Sequence, residues 1–301
     1  MNTVEILNHK SKTFKFTIPN NFDECDFKQI TRLALRMDKL FEHIASMNSL
    51  NDKAEMSVKL EKDDIFQRER IVILMILANI NPSNKFNAKT QLFFKLSDDQ
   101  IHQLLELTNW VLNLPSFENP LPFIPIKGRG RLYGPDQSLR TLVGDEFAYA
   151  QKLLAKIELE LENKKRLILM QKLFLTLYRP ASDVPIESVW STGDVRESFN
   201  RFNIEARMDY VKEVPQRKLI LVKFWFTCAL KSFMKSHPEI FSHENKEKAN
   251  STSFGWLDVF RELAGKDNTK FHQITSTPMP DLLVMLKMMK RDADRIKASN
   301  P

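Results

Sequence analysis

Glycine is scarce: the chain has seven in 301 residues, and none before Gly128. Four of the seven fall between Gly128 and Gly144, directly after the proline-spaced stretch Pro115–Pro125. Glycine permits positive φ and proline fixes φ, so this cluster reads as one long joint between two helix-rich halves. Cysteine is scarcer still. Cys25 and Cys228 are far apart and neither belongs to a CxxC pair, which excludes a disulfide scaffold and points to a reducing compartment. Long hydrophobic runs are missing too. The most apolar stretches, Ile71–Ile80 and Leu219–Leu230, fall short of the roughly 20 residues a spanning helix needs, and they read as core helices. The first residues show no cationic segment leading into an apolar core, so no secretory signal is visible. No GxSxG elbow occurs, and no motif specifies a reaction.

What is abundant is phenylalanine, at 22 residues against four tyrosines and four tryptophans. Phe has no polar handle, so these rings mean buried area. The apolar fraction is 43% and the charged fraction 28%, ordinary values for a soluble globular protein. Net charge is +7. That permits contact with nucleic acid or an acidic surface without establishing it.

The pattern predicts a mainly α, multi-helix architecture with a small N-terminal β-hairpin. Val4 and Ile6, then Phe14, Phe16 and Ile18, alternate with polar residues around Asn8–Ser11. Helical stripes follow at Ile30–Ile44, from about Asp64 to Ile80, and from Ser97 to Leu112. Ser97 is placed to cap the third, with Asp98 and Asp99 suiting its dipole. Beyond the joint, helices are expected over Gly144–Glu162, Lys164–Tyr178, Asp194–Glu213, Pro215–Ser236, Phe254–Ala264 and Pro278–Lys297, with a loop containing Trp190. The polar stretch His243–Ser253 is expected to lack structure. The organisation is thus 1–114 (hairpin plus helices), 115–143 (Pro/Gly-rich joint) and 144–301 (helices).

Candidate chemistry concentrates at the joint, where Lys127, Arg129, Arg131 and Arg140 outnumber Asp136 beside Tyr133. The spacing G-x-G-x-x-x-G matches neither the dinucleotide fingerprint nor a Walker A loop, and no βαβ frame surrounds it. A turn-rich connection is the plainer reading, with a protein contact or a phosphate contact as the functional ones. His237 and His243 with Glu239 and Glu244 loosely resemble a metal set but lack short, defined spacing; no metal and no cofactor is expected. Asp194, Arg196 and Glu197 with Arg179 and Arg207 are expected to form a buried ion-pair network rather than a catalytic site. The last helix pairs Leu282, Leu283, Leu286 and Met289 with Lys287, Lys290, Arg291, Arg295 and Lys297. It reads as a docked helix with a solvated basic end, or as a partner-binding one.

Several blocks in order along nearly the whole chain carry a resemblance. They are Phe16-Thr-Ile-Pro, Asn119-Pro-Leu-Pro, Leu132-Tyr-Gly-Pro-Asp-Gln-Ser-Leu, Leu175-Thr-Leu-Tyr-Arg-Pro, Gly193-Asp-Val-Arg-Glu-Ser-Phe-Asn, Phe224-Trp-Phe-Thr-Cys-Ala, and Gly255-Trp-Leu-Asp with Leu263-Ala-Gly. Together they resemble a family of phage and prophage proteins from Bacteroidetes-type bacteria. The resemblance implies a protein of the tail or virion assembly module, without catalytic residues to carry over. Its partners would be tail or other virion proteins, met in the cytoplasm of the bacterial host, with homo-oligomerisation left open. Contact candidates are Lys127, Arg129, Arg131, Tyr133 and Arg140 in the joint, and Lys290, Arg291 and Arg295 on the last helix. The alternative is a nucleic-acid-binding factor using the same basic residues.

Overall fold

The computed structural model describes residues 1–7, 13–49, 55–80, 87–182, 193–241, 255–265 and 267–299. The fold is mainly α, with thirteen helices and two small antiparallel sheets among these residues. Trp190 and the stretch His243–Ser253 lie outside them, as do Asn8–Ser11. No described helix is long and apolar enough to cross a membrane. The chain forms two compact units, one of residues 1–118 with 220–228, the other of 119–219 with 229–301. The sequence places its joint at 115–143; the units instead part after Glu118, and the first takes back Ile220–Cys228.

In the first unit, β1 (Asn2–Leu7) pairs with β2 (Thr13–Ile18), Val4 opposite Phe16, where the alternation predicts the hairpin. Helix α1 (Phe27–Ser49) buries Ile30, Leu33, Ala34, Met37 and Leu40 at helical spacing, and α2 (Glu55–Leu77) buries its last turn and a half. Arg36 of α1 grips the Glu69 carboxylate of α2 with two donors. The same unit holds an aromatic cluster, with Phe22 packed against Trp110, Phe117 and Phe224 at centroid distances of 4.8, 4.7 and 5.6 Å. A short α3 (Ala88–Phe93), not anticipated from the pattern, precedes α4 (Asp98–Glu106). Ser97 and Gln100 cap α4 reciprocally, as its sequence predicts. The apolar repeat suggested that this helix runs to Leu112. It stops at Glu106 because the Thr108 hydroxyl donates to the Leu105 carbonyl at 2.8 Å and the chain tightens into a 3-10 turn, Asn109–Asn113.

In the second unit the expected irregular joint holds a hairpin. Strand β3 (Phe123–Ile126) pairs with β4 (Gly130–Tyr133), turning through Gly128 and Gly130 at φ of 69° and 85°. The helical hairpin α5 (Gly144–Leu159) and α6 (Asn163–Leu177) follows. The helix expected over Asp194–Glu213 is a correction. Residues 193–200 are extended, because Ser182 and Glu197 donate to the carbonyls of Val195 and Pro180 at 2.8 and 2.9 Å. Only α7 (Arg201–Ala206) and α8 (Met208–Val211) are helical there. Helix α9 (Gln216–Ser236) gives its middle to the first unit and its ends to the second. Then come α10 (Pro238–Phe241), α11 (Trp256–Leu263), α12 (Asn268–Ser276) and α13 (Met279–Ser299). Helix α13 enters beside α5, where Gly144 donates to Thr277 at 3.0 Å and Met279 donates to Leu142 at 2.8 Å.

Candidate functional site

Three features of the second unit bring chemistry-bearing side chains together. The first is the β3–β4 hairpin. Ile124, Ile126 and Leu132 point into the core, and the alternate positions Phe123, Pro125, Lys127, Arg129 and Arg131 face solvent. The Arg129 guanidinium sits 4.2 Å from the Tyr210 ring centroid and that of Arg131 4.7 Å from Phe123. These rings orient the two cations at the exposed edge, and Arg129, after Lys212, helps hold the Asp209 carboxyl below its usual pKa. Tyr133 belongs to the hairpin's base rather than to this edge. It is half-buried, and its backbone exchanges hydrogen bonds with Arg179 at 2.7 and 3.1 Å. Arg140 is elsewhere again, held by Ser138 at 2.7 Å with Asp136 at 3.9 Å.

The base of the hairpin leads to a buried ion cluster. Arg196 Nη1 lies 2.9 Å from Glu146 Oε1, and its Nε and Nη2 lie 2.8 Å from the two Asp194 oxygens. Arg196 also donates to the Leu177 carbonyl at 2.7 Å. Arg179 Nη1 shares Glu146 Oε1 at 2.8 Å, and its Nη2 stands 3.6 Å from Asp194. Arg207 forks onto Glu197 nearby in sequence. Burial opposes the charge on both central guanidiniums. At Arg196 the carboxylates of Glu146 and Asp194 outweigh it and raise the pKa; at Arg179 burial and the repulsion of Arg196 prevail over Glu146 and lower it. Both stay charged, since arginine does not deprotonate in proteins.

The sequence reading named Arg179, Asp194, Arg196, Glu197 and Arg207 but missed Glu146, the wholly buried carboxylate at the centre. Its only sequence signal, an acidic residue in a helix's first turn, is the same as that of an ordinary dipole-complementing residue. A 420 Å³ pocket opens beside the cluster, lined by Thr141, Arg179, Asp194, Arg196, His272 and Ser276 among others. The Asp194 and Glu197 carboxylates that face it are engaged by arginines, which suits holding a structure together better than moving protons. Of the loose metal set, His243 and Glu244 lie outside the described residues. His237 is a helix-end residue whose ring packs on Phe233, 5.2 Å between centroids. Among the described residues, no three His, Cys, Asp or Glu side chains converge on a metal position.

The third feature is the outward face of α13. Met279, Leu282 and Leu283 are buried, while Val284, Met285, Met288, Met289 and Ile296 are 56%, 44%, 60%, 45% and 63% exposed. Met289, which the sequence groups with Leu282, Leu283 and Leu286, is thus on the exposed side. The basic residues of this helix divide. Lys287 Nζ pairs with Glu239 Oε1 at 2.6 Å and Lys290 Nζ donates to the Glu239 carbonyl at 2.5 Å, which ties the helix to α10. Arg291 and Arg295 are exposed, the latter 3.8 Å from Asp292. From Met288 to Ile296 every residue of described burial is exposed, so this part of the helix projects into solvent. Compared with protein-family models, with curated proteins and with solved structures, the chain finds no match.

Proposed function

We propose that this chain is a non-enzymatic interaction protein of a phage or prophage, a tail assembly factor or virion component that works by burying helical surface against other proteins. The observation that carries this is the α13 face, five large apolar side chains exposed within thirteen residues of one helix. Burying such a side chain stabilises by about 1.5–3 kcal/mol. Exposed apolar side chains clustered as those of Val284, Met285, Met288 and Met289 mark an interaction site, and methionine adapts its shape to a partner. The phage and tail part of the reading is supported by the ordered sequence blocks from Phe16-Thr-Ile-Pro to Leu263-Ala-Gly, and it places the chain in the host cytoplasm during assembly.

The test is capture of tagged full-length chain from prophage-induced cells, with partners identified by mass spectrometry. The wild type is expected to retain a tail or other virion protein, and V284K/M288K to lose it. Recovery of no virion protein, or indifference to the double substitution, overturns the reading. One observation favours a second reading, nucleic-acid binding: Lys127, Arg129 and Arg131 are exposed along one hairpin edge, two of them oriented on rings. That reading requires affinity for single-stranded DNA or RNA that falls steeply with salt and drops in R129A/R131A.

A further inference from the structure

We infer that the pocket beside the ion cluster binds a small organic carboxylate, held on the unfilled edge of the Arg179 guanidinium. Arg179 belongs to the pocket wall, and its side chain is only 4% exposed. Its Nη1 lies 2.8 Å from Glu146 Oε1 and donates to the Thr176 carbonyl at 3.3 Å. Neither Glu146 nor Thr176 is on the wall. The opposite edge is formed by Nε and Nη2. Nε is buried with no acceptor among the described residues, and Nη2 stands 3.6 Å from Asp194, beyond hydrogen-bond reach. Asp194 is on the wall, so this edge is the one turned towards the pocket. A buried donor left unpaired is costly and marks a place where a partner belongs.

The carboxylates of the wall are already engaged elsewhere. Asp194 is forked by Arg196, Glu197 by Arg207 and Asp145 by Arg201, each through two donors. Arg196 and Arg201 use the same Nε–Nη2 edge that stands unfilled on Arg179. The surroundings of Arg179 are also short of negative charge, since burial, with the repulsion of Arg196, outweighs Glu146 and holds its pKa below the usual arginine value. A carboxylate matches this edge in plane, with two parallel hydrogen bonds. One negative charge suits the pocket better than two, because Asp145, Asp194 and Glu197 stand around the same space. The rest of the wall fits an organic ligand. Phe199 and Val143 offer apolar contact, while Ser198, Ser276 and His272 offer polar groups to orient it. At 420 Å³ the pocket falls within the range of about 300–1,000 Å³ typical of small-molecule sites.

The Nε–H cross-peak of Arg179 in a proton–nitrogen NMR spectrum of the full chain, assigned through its side chain, reports on this edge directly. Sodium benzoate added at constant ionic strength is expected to move the peak saturably, and sodium chloride is not. Substituting Arg179 itself would disturb the buried cluster, so the variants are made at two exposed wall positions, Ser198 and Ser276. S198W and S276W, which fill the pocket, should each weaken benzoate binding by about tenfold or more. Circular dichroism of both checks that the fold is retained. A cross-peak unmoved by benzoate overturns the proposal and leaves water as the partner of this edge. A shift that chloride reproduces, or a benzoate affinity that both tryptophan variants leave unchanged, overturns it as well. Inorganic phosphate binding more tightly than benzoate overturns the assignment to a carboxylate.

Discussion

A guanidinium withdrawn from water keeps its charge only where carboxylates and carbonyls replace the water it has lost. Arg196 meets that condition with Glu146, both oxygens of Asp194 and the Leu177 carbonyl. Removing it leaves Glu146 buried against Arg179 alone. We expect R196M to destabilise the fold by about 3–5 kcal/mol, read as a lower urea midpoint, with R196K recovering only part because an ammonium cannot fork onto Asp194. A loss below about 1 kcal/mol would show the cluster to be replaceable by packing. His237 tests a gentler balance. Its burial, and then the charge of Lys287, hold its pKa below the usual histidine value, while Glu239 pulls the other way. The folded state thus binds the proton less readily than the unfolded chain does. Its contribution to stability is present above about pH 6.5 and is lost as the pH falls through the depressed pKa. The side chain is a quarter exposed, so solvent screens the effect. In an NMR titration the His237 midpoint should lie below that of a free histidine, and E239Q should lower it further by removing the opposing carboxylate.

At the scale of elements, the signals that proved readable were local. Ser97 accepts from the Gln100 amide at 3.3 Å and Gln100 answers at the Ser97 amide at 3.1 Å. We expect S97A to cost about 1 kcal/mol in equilibrium denaturation, and S97D to cost much less, since either oxygen can take the orphan amide. The α1 stripe and the N-terminal alternation were equally legible, because each depends on neighbours within a turn or two. The β3–β4 hairpin was not. Pro125, Gly128 and Gly130 punctuate it as a loop, and its base is fixed by Arg179, far along the chain. Its other anchor is Tyr178, whose hydroxyl donates to the Leu121 carbonyl at 2.7 Å, and whose ring leaves no room beside Gly134. A methyl group there would stand 2.8 Å from Tyr178 Cζ and 2.7 Å from Asn119 Nδ2. G134A is therefore expected to destabilise the second unit by about 1–3 kcal/mol, measured by thermal unfolding, even though the φ of Gly134 is not in the left-handed region. Residues 193–200 misled for the same reason as the hairpin. Val195-Arg-Glu-Ser is compatible with a helix, and only its pairing with Ser182 and Pro180 makes it extended. On α13 the apolar residues outnumber what one stripe can hold. The sequence shows that surplus, but not which side of the helix meets α5.

At the scale of the whole molecule, contacts and chain order part company, and the first unit cannot be cut out as a continuous stretch. Residues 1–118 contain a hairpin, helices and an aromatic cluster, yet the unit also includes Ile220–Cys228. That short segment supplies Phe224 to the Phe22–Phe117 cluster and Trp225, wholly buried, whose indole donates to the Phe117 carbonyl at 3.1 Å. It also supplies Lys223, whose ammonium lies 2.5 Å from Asp38 Oδ1 with both groups buried. A fragment ending at Glu118 would expose the rings and leave the Asp38 carboxylate buried without its cation, each a destabilisation of several kcal/mol against a total stability of about 5–15. Fragment 1–118 should therefore lack dispersed amide resonances in NMR. Adding a peptide of residues 216–236 should restore them, and the same peptide with K223M and W225A should not. A fragment that folds by itself would show the aromatic cluster to be sufficient, and the buried pair of Lys223 with Asp38 to be dispensable to the unit it joins.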